Sequence, residues 1–147
     1  MSAEGRPVFV DTNVLIYAYD AAAGVKHERA LTLISSLWAR REGCLSIQVL
    51  QEFYVTATQR LARPLQSQEA SQIVSDLSEW TVHRPTVSSI LGAIRIQTRN
   101  HVSFWDALII QSATELGCAT IWSEDLNPGQ VYESVRVANP FISSPEG

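Results

Sequence analysis

The sequence predicts an α/β fold with a mainly parallel sheet, on three observations. Short apolar runs alternate with amphipathic stretches of helical period, which is the pattern of βαβ units. Two of those runs, Val8-Phe9-Val10 and Cys118-Ala119-Thr120-Ile121-Trp122-Ser123, are followed at once or within two residues by an aspartate, Asp11 and Asp125. Such carboxyl ends of parallel strands are where α/β folds place their chemistry. Finally, 147 residues with 46% hydrophobic content suit one ordinary domain, read as residues 1–147, with a core of its own.

Taken in order, Val8 to Val10 is predicted as the first strand, with Asp11 opening a helix through Thr12-Asn13-Val14-Leu15-Ile16. Lys26 to Arg41 carries Ala30, Leu31, Leu33, Ile34, Leu37 and Trp38 at helical spacing, and Gly43 suits its C-terminal turn. Leu45 to Ile47 reads as a short second strand, Gln48 to Leu61 as a helix stopped before Pro64, and Ser67 to Glu79 as another helix. Trp80 to His83 is the expected third strand. The next helix is expected from Thr86 to Asn100 with Ile90, Leu91 and Ile94 inward, and another from Ser103 to Leu116, closed by Gly117. Cys118 to Trp122 is the fourth strand, Val135 to Val137 a fifth, and residues 143–147 a frayed tail.

Composition narrows the function. A net charge of -4 and a pI of about 5.3 exclude coating of nucleic acid by charge alone, so any contact with a polyanion is local. Ten of the eleven cationic residues are Arg, which favours forked contacts with phosphate, and Lys26 is the one lysine. Cys44 and Cys118 lack metal-site spacing and read as reduced core residues of a cytoplasmic protein. No apolar run approaches the roughly 20 residues of a membrane span, and Glu4 and Asp11 interrupt any export-signal core, so neither membrane insertion nor export is expected.

The chain has five aspartates, and Asp11, Asp106 and Asp125 sit where an isolated charge is least expected. Each has an ordinary explanation. Asp11 or Asn13 would serve as an N-cap. Ser103-x-x-Asp106 has capping-box spacing, and Ser123-Glu124-Asp125-Leu126-Asn127-Pro128-Gly129 reads as a polar turn. Capping does not explain why Asp106 shares a helix face with Ile109, Ile110 and Ala113. Glu52, alone a solvated edge residue, follows the second strand by one helical turn, near Gln48 and Thr56. Together, two strand ends and two helix starts bring four acids to one sheet edge. Like charges about 4 Å apart repel by roughly 4 kcal/mol at an effective dielectric near 20, so such a cluster calls for protons or a hard cation, Mg2+ or Mn2+. His27, His83 and His101 show no ligand spacing, and no serine-hydrolase elbow, P-loop or dinucleotide motif is present. Asn13 in place of a second aspartate disfavours a covalent aspartyl-phosphate route.

Asp11-Thr12-Asn13-Val14-Leu15-Ile16-Tyr17, Gln51-Glu52-Phe53-Tyr54, Trp105-Asp106-Ala107 and Ser123-Glu124-Asp125-Leu126-Asn127 closely resemble the PIN-domain ribonucleases. The stretch Asn127-Pro128-Gly129-Gln130-Val131-Tyr132, with Asn139-Pro140-Phe141, is similar more narrowly to the VapC-type toxins of bacterial toxin–antitoxin pairs. The resemblance implies a three-layer α/β/α fold around a five-stranded parallel sheet. It also implies a magnesium- or manganese-dependent endoribonuclease using metal-activated water, a homodimer and a cognate antitoxin partner. By the same resemblance Asp11, Glu52, Asp106 and Asp125 would be the catalytic and metal-binding acids, Asn13 and Ser123 polar helpers, and Glu124 a competitor for the fourth acid position. Arg60 with Arg63, and Arg95 with Arg99, are the arginine pairs available to RNA, although a solvated face accounts for either. The competing classes are a non-catalytic module of the same fold and a metal-dependent phosphatase acting on a small phosphate ester. Trp38, Phe53 and Tyr54 are expected to remain partly unburied and available to a partner.

Overall fold

The computed structural model describes residues 6–142; the predicted tail at 143–147 lies outside them. Thirteen elements follow in order: β1 (Val8–Val10), α1 (Thr12–Tyr19), a 3-10 turn (Ala21–Ala23), α2 (Val25–Arg40), β2 (Gly43–Ser46), α3 (Ile47–Gln59), α4 (Ser67–Leu77), β3 (Thr81–His83), α5 (Val87–Asn100), α6 (Phe104–Glu115), β4 (Thr120–Trp122), β5 (Val131–Tyr132) and β6 (Val135–Ala138).

The sheet order is β3-β2-β1-β4-β6-β5, with every pairing parallel except that of β5 with β6. The predicted parallel sheet is therefore present, with six strands where five were expected. The added strand is the two-residue β5, which folds back on β6 through a turn where Glu133 adopts φ 57. Two residues are too few to show an alternating pattern, and the turn lacks the glycine that usually marks such a φ.

The central strand β1 is covered on both neighbours, and Phe9, Val10, Leu45, Ile121 and Val137 lie in one buried cluster with Val14, Leu15, Phe53 and Ile110 from the helices. Cys44 and Cys118 are free thiols inside that cluster. Phe53 is fully buried, contrary to expectation, while Tyr54 is half-buried and Trp38 is exposed at its edge.

Two helix readings are corrected. The turn after α2 is made by Arg41 in the left-handed region (φ 58), its N–H bonding the carbonyls of Leu37 and Trp38, and Gly43 instead opens β2. A Cβ on Gly43 would stand 2.4 Å from the Trp80 ring, so only glycine allows this close approach. On α5, Ile90, Leu91 and Ile94 point outward with 42%, 52% and 42% exposure, while Ser89, Gly92, Ala93 and Ile96 are buried. The small residues let α6 approach closely: a Cβ on Gly92 would lie 2.5 Å from the Gln111 side chain. Among the described residues no helix is long and apolar enough to cross a membrane.

Candidate active site

Parallel pairing of β1 with β4 sets Val10 opposite Trp122, and the Asp11 amide continues the ladder to the Trp122 carbonyl at 2.9 Å. Asp11 and Ser123 thus leave the same sheet edge side by side. The Ser123 hydroxyl donates to Asp11 Oδ2 at 2.8 Å, and the Asp11 carboxylate caps α1 by accepting the Thr12 amide at 2.8 Å. Capping and site-building are therefore joint roles of one buried carboxylate.

Ser123 Oγ also accepts the amides of Asp125 (3.2 Å) and Leu126 (3.4 Å), which fixes the turn after β4. Asn13 joins the two aspartates: its amide nitrogen reaches Asp11 Oδ2 at 3.5 Å and Asp125 Oδ2 at 3.0 Å, while its oxygen accepts the Glu124 amide at 3.0 Å. A second group forms around Glu52 on α3. Thr12 Oγ1 donates to Glu52 Oε1 at 2.8 Å, and Gln48 Nε2 donates to Glu52 Oε2 at 3.2 Å and to the Trp105 carbonyl at 3.3 Å. That last bond ties α3 to the first turn of α6, where Ser103 accepts the Asp106 amide at 3.1 Å.

Burial pushes Asp11 up to about 6; the Ser123 and Thr12 hydrogen bonds oppose that rise, and the charges of Asp125 and Asp106 add to it. Asp106 is likewise raised, first by burial, against the opposing hydrogen bond of Ser103 and with the charges of Asp125 and Glu52. All four predicted acids thus share one electrostatic site, and Asp106 feels both groups. Among the described residues none of the four forms an ion pair with a basic side chain. An open cleft of about 640 Å3 runs past Thr12, Asn13, Glu52 and Asp125, with Arg60 on its wall.

The donor set of carboxylate oxygens, one of them the buried Asp11 raised to about 6 by burial, fits a hard divalent ion. The acids do not form a closed cage, however: among the described residues no three carboxylate, His or Cys side chains converge as ion ligands. Mutual repulsion opposes closer approach, and Thr12 with Gln48 holds Glu52 in its own group.

Glu124 is drawn away from the acids, its carboxylate bonded to Tyr17 and Lys26. The sequence assigns no site role to Thr12, Gln48, Tyr17 or Lys26; Thr12 and Gln48 stand close to Asp11 and Glu52 along the chain, whereas only the fold brings Tyr17 and Lys26 to Glu124. Of the arginines, Arg60 lines the cleft, and Arg99 pairs loosely with Glu133 at 3.7 Å. His83 bridges Ser112 (2.8 Å) and Glu115 (2.9 Å), an order reminiscent of a hydrolase triad. Ser112 is fully buried, so the bridge ties α6 to β3 and reaches no substrate.

Known structures share this architecture. VapC20 of Mycobacterium tuberculosis, described as a sarcin–ricin-loop-cleaving toxin, aligns with a TM-score of 0.61 at 20% identity over 80% of this chain and 91% of its own. A toxin–antitoxin complex from Klebsiella pneumoniae aligns with 0.68 at 14% identity over 90% and 97%. DNA-bound VapBC from Salmonella typhimurium aligns with 0.62 at 19% identity over 90% and 96%. At these identities the likeness is one of fold. The curated proteins contain no match to the sequence. The PIN domain family, however, matches residues 8–133. That span runs from the first strand through the turn after β5 and includes all four clustered acids, so the chain belongs to the PIN domain family.

Proposed function

We propose that this protein is a metal-dependent endoribonuclease that cleaves RNA phosphodiester bonds in the cytoplasm, and that it is the toxin of a toxin–antitoxin pair. The observation that carries the reading is a buried Asp11 pushed up to about 6 among Asp106, Asp125 and Glu52, with no basic partner among the described residues. A group of acids that repel one another is a poor structural device and a good cation site.

Magnesium or manganese, when bound, supplies a Lewis acid and an activated water for attack on phosphorus. Asp11, Asp106, Asp125 and Glu52 would hold it. Ser123 and Asn13 orient Asp11 and Asp125, and Thr12 and Gln48 orient Glu52, so these three carboxylates are held in place. Arg60, on the cleft wall, offsets the negative charge that would otherwise repel an RNA phosphate.

The toxin reading rests on the VapC-like and VapBC-like structural neighbours and on the sequence resemblance. An antitoxin would set an Arg or Lys against the acids, since a cationic side chain relieves the same repulsion. The outward aliphatic row of α5, Val87, Ile90, Leu91 and Ile94, supports a homodimer seam. Free buried Cys44 and Cys118 support a reducing compartment.

The test is incubation of purified protein with a pool of cellular RNAs in Mg2+, Mn2+ or chelator. Cleavage is expected with either ion and not with chelator, and is expected to vanish in Asp11→Asn and Asp106→Asn. Either variant cutting at the parent rate would show the acids to be misassigned.

A further inference from the structure

We infer that Lys26 and Tyr17 form a positioning clamp for the acid site, holding Glu124 out of it so that Asp125 alone occupies the fourth place. The inference rests on the reading of the acids as a cation site.

Glu124 and Asp125 are neighbours on one turn, and nothing in their chemistry decides which faces Asp11. Their partners do. Glu124 Oε1 accepts the Tyr17 hydroxyl at 2.9 Å and Oε2 accepts Lys26 Nζ at 2.5 Å, so both oxygens are engaged away from Asp11. The Glu124 amide is held as well, donating to Asn13 Oδ1 at 3.0 Å, and the same Asn13 donates to Asp125 Oδ2 at 3.0 Å. One turn is therefore pinned at its side chain by α1 and α2 and at its backbone by Asn13.

Lys26 is itself seated. Its ammonium lies 5.0 Å from the Tyr17 ring centroid and 5.5 Å from that of Phe141, and the two rings meet edge to face at 5.1 Å. Arg29, one turn along α2, donates to the Pro140 carbonyl, which brings the segment carrying Phe141 onto the same helix. The residues Asn139-Pro140-Phe141 thus complete the seat of the chain's single lysine. Without Lys26, Glu124 becomes a fifth carboxylate beside the site, free to compete with Asp125.

The clamp and simple electrostatics predict opposite signs. Removing a positive charge near an acidic site should by Coulomb's law tighten cation binding. Removing a clamp should weaken it, and loss of a residue that orients a ligand costs about 10–100-fold in metal affinity.

Mn2+ binding to metal-free protein is measured by calorimetry or electron paramagnetic resonance, with amide hydrogen exchange across residues 123–126 in parallel. Lys26→Met is expected to bind Mn2+ about 10-fold more weakly and to exchange faster at Asp125 and Leu126. Lys26→Arg is expected to restore both readouts, and adding Glu124→Gln to Lys26→Met to recover binding by removing the rival carboxylate. A folded Lys26→Met that binds Mn2+ as tightly as the parent, or more tightly, would overturn the clamp. If Lys26→Met does not fold, Tyr17→Phe, which removes only the hydroxyl on Glu124, decides on the same two readouts. A parent protein that binds no Mn2+ would instead sink the cation-site reading. The clamp would then stand or fall on whether exchange at 123–126 quickens in Lys26→Met and recovers in Lys26→Arg.

Discussion

Ser123 and Asp11, the residues immediately following two adjacent parallel strands, are joined by a 2.8 Å hydrogen bond between Ser123 Oγ and Asp11 Oδ2. The bond is the main side-chain stabiliser of a buried charge that the fold otherwise resists, since burial outweighs it and leaves Asp11 at about 6.

That value carries a pH dependence. The ordinary carboxyl value is 3.8, so folding raises it, and the contribution to stability is fully present below pH 3.8 and lost as pH rises through about 6. The separation corresponds to on the order of 2–3 kcal/mol. Asp11→Asn should therefore stabilise the metal-free protein at pH 7.5, by about 1 kcal/mol after allowing for the acceptor it loses to Thr12 or Ser123. Denaturant melts between pH 4 and 7.5 should show the parent losing stability relative to the variant. Parallel profiles would mean that Asp11 does not titrate as described.

A divalent ion should reverse the penalty. At a concentration 100 times its dissociation constant it stabilises by about 2.7 kcal/mol, and protons compete for Asp11 at low pH. Thermal melts with Mn2+ against chelator should show a larger shift at pH 7.5 than at pH 5. Equal shifts at the two pH values would remove Asp11 from the ligand set.

Much of this site was legible in the sequence because its cause is local. A carboxylate that ends an apolar strand run, or interrupts an apolar helix stripe, is visible without coordinates, and the charges of Asp125 and Asp106 bear on Asp11 as those of Asp125 and Glu52 bear on Asp106. The partners of Glu124 were not legible: Tyr17 and Lys26 lie 107 and 98 positions away, and only the fold brings them together. For α5, helical spacing revealed an aliphatic stripe but not which side is covered. Gly92 and Ala93 carry almost no hydropathic signal, yet close approach of α6 puts their side inward and turns Ile90, Leu91 and Ile94 out.

Two glycines should respond differently to alanine. At Gly43 the new methyl would meet three atoms of the rigid Trp80 ring at 2.4 to 2.5 Å, and that ring is packed edge to face on Trp38. Gly43→Ala should cost about 1–3 kcal/mol by overpacking. At Gly92 the obstacle is the movable end of Gln111, so Gly92→Ala should cost less, chiefly the Gln111 to Glu115 hydrogen bond at 2.8 Å. Chemical denaturation of both variants checks the order, and a Gly92→Ala loss exceeding that of Gly43→Ala would contradict the packing described.

The outward row on α5 makes the last prediction. Val87, Ile90, Leu91 and Ile94 are 72%, 42%, 52% and 42% exposed on one helix, more contiguous apolar surface than isolated outward residues account for. Isologous pairing of two such rows would bury each against its copy. The parent should therefore sediment as a dimer. Leu91→Arg with Ile94→Arg should yield a monomer of unchanged helical content, because neither side chain contributes to the buried face of α5. The acid site lies on other elements, so Mn2+-dependent stabilisation should survive in that monomer if the two features are independent. A parent that sediments as a monomer, or a double variant that remains dimeric, would place the seam elsewhere.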